Sequence, residues 1–151
     1  MEAVLRGALA GCVGTTTMTA AMAAAQAAGM MAGEVPPRRV AGNLEAALGV
    51  RAALSRPAFE ASWLAQHFAY GAAAGAVYAV ARERLGGAEP LIAGPLYGIA
   101  LWAFGYAGWA PLTGLYPWPT EEPRRRVATE VASHLIYGAA TALAERRLRC
   151  G

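Results

Sequence analysis

Both histidines of the chain sit in near-identical stretches, HFAYGAA at 67–73 and HLIYGAA at 134–140. A histidine written twice in the setting His-x-x-Tyr-Gly-Ala-Ala can do three kinds of work. It can titrate within the range of cellular pH, ligate a metal, or hydrogen-bond a neighbouring helix and fix packing. Carboxylates stand nearby: Glu130 is four residues before His134, on the same helical face, Glu60 is seven before His67, and Glu34 lies two before Pro36. Glu34, His67, Glu130 and His134 therefore form the candidate proton-responsive or polar cluster, near one end of a helical bundle. No third histidine, HExxH pattern or CxxC pair is present, so a metal or haem site ranks behind titration and packing. No metal and no cofactor are expected.

The rest of the motif has a plainer use. On a helix, Tyr70, Gly71 and Gly75 follow His67 on one face, and Tyr137 and Gly138 follow His134. Small residues four apart let helix backbones approach closely, the common basis of packing within a bilayer. These five residues are the expected helix-packing seam. No catalytic residue is assigned and no enzyme is expected: Ser55, Ser62 and Ser133 lack a nucleophile elbow, and Cys12 and Cys150 lack a base at readable spacing. Thr15, Thr16 and Thr17 suit hydrogen bonds back to their own helix.

Helices must position these groups, and the composition says which kind. The 151 residues are 56% hydrophobic, enough to ask whether the apolar residues are blocked or scattered. They are blocked, over 7–33, 61–81, 90–120 and, interrupted by Glu130, 127–144. Each block reaches or approaches the ~20 residues that cross a bilayer. A soluble Ala-rich bundle would show a charged face every 3.6 residues, and the second and third blocks carry no charge. A cleaved signal peptide is the alternative for the first block, which is long and Thr-rich for that purpose.

The expected fold is all-α: a polytopic membrane protein whose four transmembrane helices, at about 4–33, 58–84, 90–116 and 124–148, form two similar hairpins in a parallel internal repeat. GALAG at 7 and GPLYG at 94 extend the repeat to the first and third helices. Pro36 and Pro37 are expected to stop the first helix, a turn is expected around LGGAEP, and Pro95 and Pro111 should kink the third helix. The stretch 40–55, with Leu44, Leu48 and Leu54, suits a short interfacial helix.

Charge adds exclusions. All 13 basic residues are arginine and all 10 acidic residues are glutamate, so no lysine Schiff base can form. The net charge of +3 is spread over loops and offers nucleic acid no basic stripe. The arginines read as interface anchors, and the expected partners are the lipid bilayer and further copies of the chain. Six arginines fall on the side of the termini and seven on the other. Arg82, Arg84, Arg146 and Arg147 abut their helices, which favours termini in the cytoplasm.

GEVPPR, HFAYGAAAGAVYAV and PWPTEEP leading into TEVASHLIYG resemble the YagU-like family of bacterial inner-membrane proteins over roughly residues 33–147. Glu34-x-Pro36 and Glu130 with His134 are the most specific parts. The first loop is shorter than in the better-known members, so any function of that loop does not carry over. The resemblance implies an integral inner-membrane protein of unassigned activity with a link to acid tolerance. It supplies no catalytic residue, and it favours a proton-responsive cluster over a metal site. The rival expectation is a structural or assembly protein whose His and Glu residues only lock helix packing.

Overall fold

The computed structural model describes residues 1–84 and 89–150; most of the turn expected around LGGAEP lies outside the described residues. Every regular element among them is helical: α1 (Glu2–Ala27), α2 (Pro36–Ala47), α3 (Arg56–Arg84), α4 (Pro90–Leu112) and α5 (Arg124–Cys150), with a 3-10 turn at Arg51–Ala53. Two helices, α1 and α4, are long and apolar enough to cross a membrane, not the four expected. The other two are diluted: α3 by Gln66, His67, Tyr70 and Tyr78, and α5 by Glu130, His134 and charges at both ends.

Several boundaries differ from expectation, each for a local reason. α1 ends at Ala27 instead of running to 33, because Gly29 adopts φ 67° and closes a Schellman cap, with Met30 N–H donating to Ala25 O at 2.8 Å and Gly29 N–H to Gln26 O at 2.9 Å. Gly114, at φ 73°, ends α4 at Leu112 instead of 116 in the same way. Pro36 and Pro37 do not stop a helix. They start α2, where a missing N–H costs nothing. The interfacial helix expected over 40–55 is therefore α2 followed by the short turn, and Glu34 lies in the connection between α1 and α2.

The kink in α4 is a π turn at Gly105–Trp109, with Gly108 at φ −130° and ψ −107°. Pro111 accounts for it, since its nitrogen cannot donate to the carbonyl of Ala107.

α1 packs closely against α3 and against α5, and α5 packs closely against α4. The repeated small residues form these seams. A Cβ on Gly11 would strike the backbone of Gly71 and Gly75, and one on Gly98 would strike the backbone of His134. GALAG and GPLYG thus do equivalent work in two hairpins. The copies are offset, however: Gly7 and Gly11 face Gly75 and Gly71, whereas Gly94 and Gly98 face Gly138 and His134. The second hairpin is shifted by one helical turn.

Between the hairpins, Gly14 of α1 lies against Tyr137 and Thr141 of α5. The matching contact, α3 against α4, is made through long side chains. Tyr97 donates to Ala74 O at 2.6 Å, Tyr78 packs on Tyr97, and Tyr70 packs on Trp109. The central core is Met18, Met22, Ala74 and Tyr137.

Candidate functional site

The looser α3–α4 side holds a partly open cavity of about 240 Å³, and both copies of the repeated motif face it. α3 contributes His67 and Tyr70, α5 contributes His134 and Tyr137, and the π turn of α4 contributes Tyr106 and Trp109. Thr15 and Met18 of α1 form the floor, and Pro37, Val40, Ala41 and Leu44 of α2 cover it. Two neighbouring helices thus bring together residues far apart in the chain, and the third helix must open its backbone by a π turn to present its aromatic pair.

Hydrogen bonds fix the histidine tautomers. The Thr19 hydroxyl donates its single proton to Thr15 O at 2.7 Å, so at 3.1 Å from His67 it accepts from Nε2–H. Nδ1 of His67 then carries the lone pair. His134 Nδ1 lies 2.8 Å from Glu130 O and must donate to that carbonyl, leaving Nε2 as the lone-pair nitrogen. Tyr106 stands edge-on to His134, with ring centroids 5.5 Å apart at 82°. No carboxylate and no arginine is among the lining residues.

The four residues expected to cluster are divided. His67 and His134 share the cavity. The Glu130 carboxylate turns away from it and accepts from the Tyr116 hydroxyl at 2.8 Å, with Arg126 Nε at 3.3 Å. Arg126 also donates to Tyr116 Oη at 3.1 Å, to Ala32 O at 2.5 Å and to Glu34 O at 2.7 Å. One buried guanidinium therefore ties α5 to the connection after α1 and to the loop after α4. Burial and the adjacent Glu130 carboxylate push the Tyr116 phenol well above its ordinary value. The Glu34 carboxylate is on the surface, paired with Arg38 at 2.8 Å. Tyr116 packs edge-on against Tyr106 at 5.1 Å, so a Tyr116–Tyr106–His134 stack links this network to the cavity.

Of the expected packing residues, Gly71, Gly75, Tyr137 and Gly138 are buried in the seams. Tyr137 also donates to Gly71 O at 2.7 Å. Tyr70 is 40% exposed and stands at the cavity's edge beside Trp109. Thr15, Thr16 and Thr17 bond back to Gly11, Cys12 and Val13.

Two buried carboxylates escaped the sequence reading. Glu145, fully buried, accepts from Arg6 at 3.0 Å, Arg82 at 2.6 Å and Arg149 at 2.8 Å. Three arginines expected only as interface anchors thus join three helices. Its i,i+4 spacing to Arg149 was the one local signal. Glu45 of α2 accepts from Ser62 at 2.6 Å and Gln66 at 3.0 Å, latching α2 over the cavity; in sequence it reads as an ordinary exposed charge. Among the described residues, no three His, Cys, Asp or Glu side chains come together as a metal site would require.

No curated protein and no solved structure matches the chain. A family model does match, over residues 1–149, and its description is a family of unknown function, DUF6789. The chain belongs to that family.

Proposed function

We propose that the chain is a four-span integral membrane protein whose working part is the cavity between its two hairpins, with His67 and His134 as a proton-responsive pair. The observation that carries this reading is the convergence of both copies of the repeated motif on one cavity. Packing alone would not require it: Gly71 and Tyr137 serve both a seam and the cavity wall, whereas His67 and His134 line the cavity and Gly75, Gly94, Gly98 and Gly138 pack away from it.

The four-span reading rests on the spacing of charges. At ~1.5 Å per residue, Arg6 to Gln26 of α1, Glu60 to Arg82 of α3 and Arg126 to Glu145 of α5 each cover about 28–33 Å, close to the ~30 Å hydrocarbon thickness. Leu9, Val13, Val77, Leu96, Ile99, Phe104 and, on α5, Ile136 are exposed. Exposed apolar side chains on every long helix suit lipid better than water. The likeness to the YagU-like inner-membrane proteins agrees with a bacterial inner-membrane location, cytoplasmic termini and a role in acid tolerance or envelope homeostasis. The exposed apolar faces suit self-association as well.

The proton-responsive pair follows from what faces it. α4 presents Tyr106 and Trp109, α5 Tyr137, and α3 Tyr70 and Gln66, whose amide stands between the cavity and the Glu45 carboxylate that Ser62 also holds. α1 presents Thr15 and Thr19, and α2 presents apolar side chains. The Glu130 carboxylate is engaged by Tyr116 and Arg126. Charging both imidazoles therefore places two like charges on one apolar cavity without a counter-ion, and opening the α2 cover to water relieves it.

The alternative, that polar residues only fix packing, is favoured for Glu130 and Glu145 by their arginine partners. Hydrogen exchange of the purified protein at pH 7.5 and pH 5 separates the two readings. The proposal expects α2 amides to lose protection at pH 5 in the wild type and to keep it in His67→Phe/His134→Phe. Equal protection at both pH values in the wild type would sink it.

A further inference from the structure

We infer that the cavity is a binding site for a neutral, single-ring aromatic molecule carrying a hydroxyl or N–H donor. This rests on the cavity being the working part of the protein, and it adds the class of ligand. Size sets the first limit. A cavity of ~150 Å³ takes benzene, so about 240 Å³ holds roughly ten non-hydrogen atoms in proportion. Shape sets the second. Tyr106 and His134 meet edge-on, and Tyr70 and Trp109 meet at a tilt with centroids 6.4 Å apart, leaving aromatic walls against which a flat ring gains edge and face contacts.

Polarity sets the third. Both imidazoles are locked by Thr19 and by the Glu130 carbonyl so that each keeps one nitrogen as an acceptor. His134 is 5% exposed, yet its Nε2 has no protein hydrogen-bond partner among the described residues. That nitrogen opens onto the cavity and is not sealed in packing, and a ligand hydroxyl or N–H supplies the partner that the apolar walls lack. With no arginine or carboxylate lining the space, an ionised ligand has nothing to pair with. Tyr70, part-exposed at the gap between α3 and α4, stands where such a molecule would pass from the surrounding apolar medium.

The test is calorimetric titration of the full chain in detergent micelles with 4-ethylphenol, ethylbenzene and 4-ethylbenzoate, corrected for partitioning into empty micelles. The expected result is saturable one-to-one binding of 4-ethylphenol, with the other two about tenfold weaker or more, because a site built around an acceptor rejects an analogue lacking the donor. Leu44→Trp, which fills the space from α2 without touching a glycine seam, abolishes binding. His134→Phe, which keeps a ring and removes the acceptor, brings 4-ethylphenol down to the level of ethylbenzene. Melting temperatures confirm that each variant is folded, and Val40→Trp replaces Leu44→Trp if the latter is not.

Equal binding of 4-ethylphenol and ethylbenzene would reduce the cavity to an apolar void and overturn the inference. So would the absence of saturable binding, or binding unchanged in both variants. If 4-ethylphenol fails to bind while the wild type still loses α2 protection at pH 5, only the ligand assignment falls. If it binds as expected and that loss is absent, the proton-responsive reading falls and the ligand site stands.

Discussion

At the scale of single residues, Arg126 holds more together than any histidine. It is 8% exposed and satisfies two carbonyls, a phenol and a carboxylate on three separate segments. Arg126→Ala leaves Glu130 buried without its cation, so a loss of about 3–5 kcal/mol is expected in unfolding measurements. Tyr116 makes a finer test. Its phenol is held above the ordinary value, so the folded state keeps a proton that the unfolded chain loses near pH ~10. That contribution is present below pH ~10 and declines as the pH rises beyond it, by about 1.4 kcal/mol per unit. Tyr116→Phe should remove that share of the alkaline slope, which stability curves from pH 8 to 11 would show. The sequence put Arg126 among three arginines with nothing to single it out, since its partners at 32, 34 and 116 are distant in the chain. His67 and His134 were legible because the motif repeats; their separation from Glu34 was not, because Arg38 captures that carboxylate one turn into the next helix.

The elements were legible as periods of apolar and small residues, and their ends less so. Gly29 and Gly114 each carried a stop signal inside a run that hydrophobicity alone extends to the next charge. Pro36 and Pro37 open a helix because the preceding one has already ended. The seams were legible in outline, since GALAG and GPLYG mark the faces that touch α3 and α5. Their one-turn offset was not, as it depends on how two whole surfaces settle. Gly11→Leu and Gly98→Leu each force a side chain into a neighbouring backbone. Losses of at least about 3 kcal/mol are expected, above the usual range for overpacking, because backbone cannot rotate aside. Val77→Leu, on a face 60% exposed, should stay within about 0.5 kcal/mol. Comparable losses in all three variants, by thermal unfolding in detergent, would contradict the seams.

For the whole molecule, the two helix pairs are alike but not equally closed, and the difference creates the site. The α1–α5 contact is tight, its counterpart between α3 and α4 is propped open by tyrosines and a tryptophan, and the cavity occupies the difference. The proposed four-span topology requires both termini on one side of the membrane. Impermeant thiol labelling of right-side-out vesicles should then treat Cys150 and a cysteine at Arg84 alike, and cysteines at Leu48 and Glu121 oppositely, with Cys12 replaced by Ala. All four positions labelling alike would rule out the topology.

The two histidines are proposed to act on one shared space. The most direct test of this is the thermal stability of the purified protein from pH 4 to 8 for wild type, His67→Phe, His134→Phe and the double variant. Wild-type stability should fall as the pH drops from 7 to 5, at up to about 1.4 kcal/mol per pH unit for each histidine. Each single variant should lose more than half of that fall, and the double variant should be flat. A flat wild-type curve, or four curves falling in parallel, would mean that the repeated motif only packs helices.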